Sequence, residues 1–161
     1  MQVRQATKDD VPRIVDMSAK FYETTSYARW APFNPDTVHD LAANLAENHV
    51  MLVAEHAGEL VGMVGLFAAP FMFNGEVTAA YEVVWWVDPD AQGRGAGKAL
   101  LQAIEPACAA RGCRAVQMVH LASSPPQAAA LYERMGFRYS ESSYTKVAFS
   151  IQSGEDLANA A

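Results

Sequence analysis

The sequence predicts an α/β fold, a mixed sheet with helices packed on both of its faces. Three observations lead to it. β-branched apolar runs alternate along the chain with segments whose apolar residues recur at helical spacing. One such run meets an Ala/Leu-rich helical segment through the turn Gly93-Arg94-Gly95-Ala96-Gly97. Finally, 161 residues, 51% of them hydrophobic and 19% charged, provide one core and leave little room for a second. Residues 1–151 are therefore expected to form a single domain, followed by a flexible C-terminal tail at 152–161.

The elements follow in order. Residues 3–6 read as a short strand. Thr7, with an acid three residues on, can satisfy the first free N–H groups of a helix, and Pro12 is tolerated in that first turn. Val11, Ile14, Val15, Ser18 and Phe21 then line one apolar face, which carries the helix to Glu23. The aromatic stretch 24–33, with Tyr27, Trp30 and Phe33, is a candidate substrate wall and equally a roof over the core. Asn34-Pro35 suits the cap and first position of a second helix bearing Val38, Leu41 and Leu45. Residues 50–56 and 59–69 read as a hairpin across Ala57-Gly58, 70–75 breaks the pattern, and 77–87 resumes it as a long strand. A helix at 95–111 stops at Gly112, a strand covers 114–121, and a helix at 125–135 stops at Gly136. Two further strands are expected within 137–151, giving six to seven in all.

Twelve Lys and Arg against 18 Asp and Glu give a net charge of −6, so no bulk positive field draws nucleic acid or anionic lipid, and neither is an expected partner. Any polyanionic ligand has to be held locally. Cys108 and Cys113 match neither a Cys-x-x-Cys pair nor a disulfide framework, and His39, His49 and His56 lack metal-ligand spacing, so no metal is expected. With reduced thiols, no apolar run of membrane-spanning length and no signal-like start, the chain is expected in the cytoplasm.

The turn between residues 87 and 98 carries the most information. Glycines let a backbone turn tightly and approach a ligand closely, and the free N–H groups and positive dipole end of the following helix favour an anion. Arg94 and Lys98 add local positive charge to an acidic chain. Two nucleotide motifs fail on spacing. A P-loop around Gly97-Lys98 would need glycine where Gln92 stands and Ser or Thr where Ala99 stands, and the dinucleotide fingerprint begun by Gly93-Arg94-Gly95 meets Lys98 in place of its third glycine.

What fits is Gln/Arg-x-x-Gly-x-Gly/Ala, met by Gln92, Gly95 and Gly97. With the preceding Val87-Asp88-Pro89, the following Lys98-Ala99-Leu100-Leu101 and the later Ala130-Leu131-Tyr132-Glu133-Arg134-Met135-Gly136-Phe137, the chain resembles the GNAT superfamily of N-acetyltransferases. The order of elements over residues 3–151 is similar to that family's, which implies a mostly antiparallel central sheet. One position departs from it: many members carry Asn seven residues before the tyrosine, and here that residue is Pro125. A pantetheine contact made by that Asn is absent or replaced.

The resemblance implies an N-acetyltransferase that moves an acetyl group from acetyl-coenzyme A to a primary amine of a small molecule or peptide. It implies that the pyrophosphate rests on backbone N–H groups of Gln92, Gly93, Arg94, Gly95, Ala96, Gly97 and Lys98. The pantetheine would pair with the strand end at Trp85, Trp86 and Val87, where a backbone N–H near Trp85 or Val87 polarises the thioester carbonyl. The two indole side chains are expected in the core. Tyr132 stands where the family places the acid that protonates the departing thiolate, although a tyrosine beside Leu131 and Met135 also suits helix packing. For the base, Glu82 is the only acid within 77–87, and burial there raises a carboxyl pKa. Counted back from Val87, it turns to the wrong face unless the strand bulges. His120 is the other candidate base. Competing readings are a coenzyme-A-binding or sensor module without turnover and a purely structural domain. An exposed edge in the C-terminal strands allows a homodimer.

Overall fold

A computed structural model of the chain describes residues 1–147. Its elements run β1 (Gln2–Gln5), α1 (Val11–Glu23), α2 (Pro35–Asn48), β2 (Val50–His56), β3 (Glu59–Phe71), β4 (Asn74–Val87), α3 (Ala96–Ala109), β5 (Cys113–Gln117) and α4 (Pro126–Arg134). Among the described residues the five strands form one sheet in chain order. Neighbours from β1 to β4 are antiparallel, and β5 lies parallel to β4. A parallel step needs a crossover, which α3 supplies.

Strand alternation divides the core between two faces. Along β2, Val50, Leu52 and Ala54 point to one side, where they pack with Val64, Leu66, Leu100, Leu101, Ile104 and Tyr132. Met51 and Val53 point to the other and meet Ile14, Met17, Ala42, Leu45 and Met63. The first face is thus covered by α3 and α4, the second by α1 and α2. Coverage on both sides is why Val50 to Ala54 are all buried and read as an unbroken apolar run.

The local signals operate as the sequence suggests. Asn34 Oδ1 accepts the Thr37 N–H at 2.9 Å to cap α2. Ala57 and Gly58 both take positive φ, 53° and 83°, as a two-residue hairpin turn between β2 and β3 requires. Ahead of α1, the Asp10 carboxylate accepts from the Thr7 N–H at 2.7 Å, and Arg4 grips it through two guanidinium nitrogens at 2.7 and 3.0 Å.

Three expectations are corrected. The break placed at 70–75 shrinks to the tight turn at Met72 and Phe73, with β3 reaching Phe71 and β4 starting at Asn74. Pro70 is tolerated because β2 stops pairing at Val50–Leu66, so at Pro70 one side of β3 has no strand among the described residues that needs an N–H donor. The two strands expected within 137–151 are not formed over 137–147, and 148–151 lie outside the described residues, as does the expected tail 152–161. The stretch from Arg138 to Lys146 is polar on both alternations, with Tyr139 80% and Tyr144 94% exposed, and so has no apolar row to bury. Among the described residues the sheet therefore has five strands, where six to seven were expected of the chain, and β5 ends at Gln117, not at residue 121.

The Arg4 hydrogen bonds hold the Asp10 carboxyl below its ordinary value of 3.8, at about 2. A carboxylate with a depressed folded-state pKa stabilises the fold fully above the unfolded pKa and loses that contribution as pH falls through the folded one, a window here of about pH 4 to 2. The contribution is on the order of 2 kcal/mol. In urea melts at a series of pH values, wild type should exceed Asp10→Asn at neutral pH and converge on it below pH ~4. A gap that is constant with pH would contradict this.

Candidate active site

The β4–β5 ladder ends at Tyr81–Gln117, while β4 runs on to Val87 paired with β3 alone. Over residues 82–87 the two parallel strands have parted. At the parting, Glu82 stands opposite Leu66 and Val84 opposite Gly65, leaving Val83 as an extra residue. This bulge resets the alternation between Glu82 and the strand end, which is the condition the sequence set for Glu82.

Beyond β5, the chain turns back toward Glu82 at Val119. The Glu82 carboxylate accepts the Val119 N–H at 2.6 Å, and the Tyr132 hydroxyl donates to the Val119 carbonyl at 3.0 Å. One residue of backbone thus holds both side chains. Burial of the carboxyl pushes the Glu82 pKa up to about 7, against the Val119 N–H, which favours the charged form. Tyr132 is raised above its ordinary range, first by burial and then by the Glu82 charge, so its phenol stays protonated. Tyr27, from the connection between α1 and α2, is raised by the same two causes. Its relation to Glu82 was not legible, because it depends on how that connection crosses the sheet.

The turn ahead of α3 is built as an anion cradle. Gly93 and Gly95 have φ of 75° and 91°, where L side chains are strained, and a Cβ on either would meet nothing within 4 Å. Their outer faces are open. The N–H groups of Gly95, Ala96, Gly97 and Lys98 have no protein acceptor among the described residues, and the first bond back into the turn is Ala99 N–H to Gly95 O at 2.9 Å. Gln92 Nε2 donates to Val87 O at 3.1 Å, folding the turn onto the end of β4. Arg94 and Lys98 are exposed and have no ion-pair partner among the described residues.

The third glycine serves packing. A Cβ at Gly97 would stand 3.3 Å from Trp85 Cζ2. The Trp85 ring lies between α3 and α4, its centroid 5.2 Å from that of Tyr132. Trp86 faces the opposite core, where its indole N–H donates to Asp88 at 3.1 Å. Arg13 and Lys20 of α1 also reach Asp88, tying that helix to the start of the turn. Pro125 caps α4 through its carbonyl, which accepts from Ala128 N–H at 2.9 Å, and provides no side-chain donor in place of an Asn. His120 is exposed one residue past Val119 and makes no hydrogen bond among the described residues. A cleft of about 450 Å³ beside the turn is lined by Arg13, Lys20, His56, Asp88 and Arg94, but neither Glu82 nor Tyr132 reaches it.

Comparison with known proteins agrees with this architecture. Residues 12–137 match the acetyltransferase (GNAT) family, and the chain belongs to it. An integron cassette protein from the mobile metagenome of Cole Harbour Salt Marsh superposes with a TM-score of 0.70 at 26% identity, covering 92% of this chain and 91% of its own. The ribosomal-protein-alanine N-acetyltransferase of Brucella melitensis biovar Abortus 2308 superposes with 0.67 at 20% identity, covering 91% and 99%. An aminoglycoside acetyltransferase from an uncultured soil metagenomic sample does so with 0.65 at 23%, covering 92% and 98%. The last two share the fold. Among the described residues no group of three or more His, Cys, Asp or Glu is placed to hold a metal ion, and no helix is long and apolar enough to cross a membrane.

Gly97→Val should drive Trp85 off Tyr132, with a loss of stability on the order of 1–3 kcal/mol. The near-UV circular dichroism of the ring pair should change with it. An unaltered spectrum and melting temperature would show that Trp85 does not pack against this glycine.

Proposed function

We propose that the protein is an acetyl-CoA-dependent N-acetyltransferase acting on a primary amine of a small molecule or peptide, in the cytoplasm. The observation that carries this is the pairing of Glu82 and Tyr132 on the two sides of Val119, at the point where β4 leaves β5. A module that only bound coenzyme A would have no use for a carboxyl with a pKa near neutrality beside a protonated phenol.

The residues present fit the co-substrate. Free N–H groups from Gly95 to Lys98, the open left-handed glycines and the exposed Arg94 and Lys98 suit a pyrophosphate. Residues 82–87, laddered on one side only, offer the other side to an extended chain at Trp85, Trp86 and Val87. When bound, acetyl-CoA supplies an activated acetyl group and a thiolate leaving group. A strand N–H at Trp85 or Val87 polarises the acyl carbonyl. An amine arrives as an ammonium, and Glu82 takes its proton, directly or through one water. Tyr132 Oη holds a proton that it shares with Val119 O and can offer to the departing sulfur.

Glu82 is an effective base only when charged, so turnover should rise with pH through about 7 and level off above it. Glu82→Gln keeps an acceptor for the Val119 N–H but no base. It should abolish that rise and lower turnover on the order of 10²-fold. An unchanged pH–rate profile would transfer the role to His120 or to solvent.

Tyr132→Phe keeps the ring against Trp85 and Phe137 and removes the proton. The expected loss is on the order of 10²-fold in kcat. Acetyl-CoA affinity by calorimetry should hold. Turnover within about threefold of wild type, below what an acid catalyst contributes, would make Tyr132 a packing residue.

A further inference from the structure

The spacing of Cys108 and Cys113 names no motif, yet the fold brings the two residues together. Cys108 lies in the last turn of α3, and Cys113 is the first residue of β5. Between them the chain reverses at Gly112, whose φ of 74° favours glycine and whose N–H donates to Ala109 O at 2.9 Å. That bond is the inner one of a glycine-ended helix, an ending in which the residue after the glycine packs onto the residue five before it. Here those two residues are Cys113 and Cys108.

Their surroundings agree with this pairing. Cys108 is buried in the core cluster beneath α3, and Cys113 packs against the same cluster. Both line a cleft of about 340 Å³, together with Glu105 of α3, Arg114 of β5 and Phe137 beyond α4. Neither Glu82 nor Tyr132 reaches this cleft. Access separates the two thiols. Cys108 is 1% exposed, whereas Cys113 is half-buried and open to an incoming reagent.

We propose that Cys113 and Cys108 form a reactive thiol pair that takes small-molecule disulfides at this cleft and closes to an internal disulfide. The reaction is two successive exchanges. The Cys113 thiolate attacks one sulfur of the small disulfide, whose S–S bond breaks as a mixed disulfide forms on Cys113, and the released thiolate takes up the proton that Cys113 gave to solvent. The Cys108 sulfur, losing its own proton, then attacks Cys113 Sγ and expels the second small thiol. The protein thus gives up two electrons and two protons, and the small disulfide receives them as two thiols. Burial pushes Cys108 up to about 11 and raises Cys113 as well. Thiols that ionise reluctantly exchange slowly and are poor leaving groups, so the internal bond, once closed, is slow to reopen. It ties the end of α3 to the start of β5.

The test incubates the intact, reduced protein with oxidised glutathione at mildly alkaline pH and follows its mass. Wild type should pass through a species carrying one glutathione and end as a single chain short of two hydrogens, with no thiol left to titrate. Trypsin cuts after Lys98, Arg111 and Arg114, so peptides 99–111 and 112–114 should run joined until a reductant parts them. Cys108→Ser should stop at a lasting glutathione adduct. Cys113→Ser, left with the buried thiol alone, should react at least about 10-fold more slowly than wild type while folded. The wild-type peptide map needs no variant, so it decides the matter even where a serine at buried position 108 unfolds the chain. A wild-type product that keeps its glutathione, links two chains, or forms only after unfolding in urea would overturn the proposal, as would a folded Cys113→Ser protein that reacts as fast as wild type.

Discussion

A peptide group that leaves a sheet loses its ladder partners, and its N–H and C=O are then met by side chains or by water. At Val119, past the last β4–β5 pair, both groups find side chains: Glu82 for the N–H and Tyr132 for the C=O. The opening between the strands and the placement of the two candidate catalytic groups are therefore one arrangement. The bulge at Val83 sets the face that Glu82 shares with the strand end at Trp85 to Val87, and α4 carries Tyr132 to the Val119 carbonyl.

The two cores converge on this point from opposite sides of the sheet. Trp85 faces α3 and α4 and sets the ring of Tyr132, while Trp86 faces α1 and meets Phe21 edge-on at 6.4 Å. Adjacent tryptophans in one strand thus serve different layers, as alternation demands. The glycine turn is located by the same strand. Asp88 N–H donates to Val61 O at 2.9 Å, and the Asp88 carboxylate is held by Trp86, Arg13 and Lys20, which anchors the turn in both the sheet and α1.

Much of this was written in local sequence patterns. The turn at Gln92 to Lys98, the cap at Asn34 and the hairpin at Ala57-Gly58 each depend on a few consecutive residues, and each forms as those residues suggest. Where the pattern was long-range, the sequence was silent or conditional. Glu82's direction turned on a bulge that no alternation reveals beforehand, because the extra residue, Val83, is itself an ordinary strand former. Pro70 read as a break only because its strand's missing neighbour could not be known. Gly97 belonged to a ligand motif, yet the nearest constraint on it is an indole ring.

Past Leu66 and Thr78, β3 and β4 continue as a two-stranded ribbon with no further strand partner among the described residues, ending in Met72 and Phe73, which are 79% and 83% exposed. An unpaired ribbon edge tipped by exposed apolar side chains is a template onto which another chain can add a strand. Pro70 interrupts one of its edges, since a residue without an N–H cannot complete a continuous run of donors. The same residue that complicates the sequence pattern thus breaks the donor row along the longest hairpin among the described residues, the position at which a proline hinders strand addition.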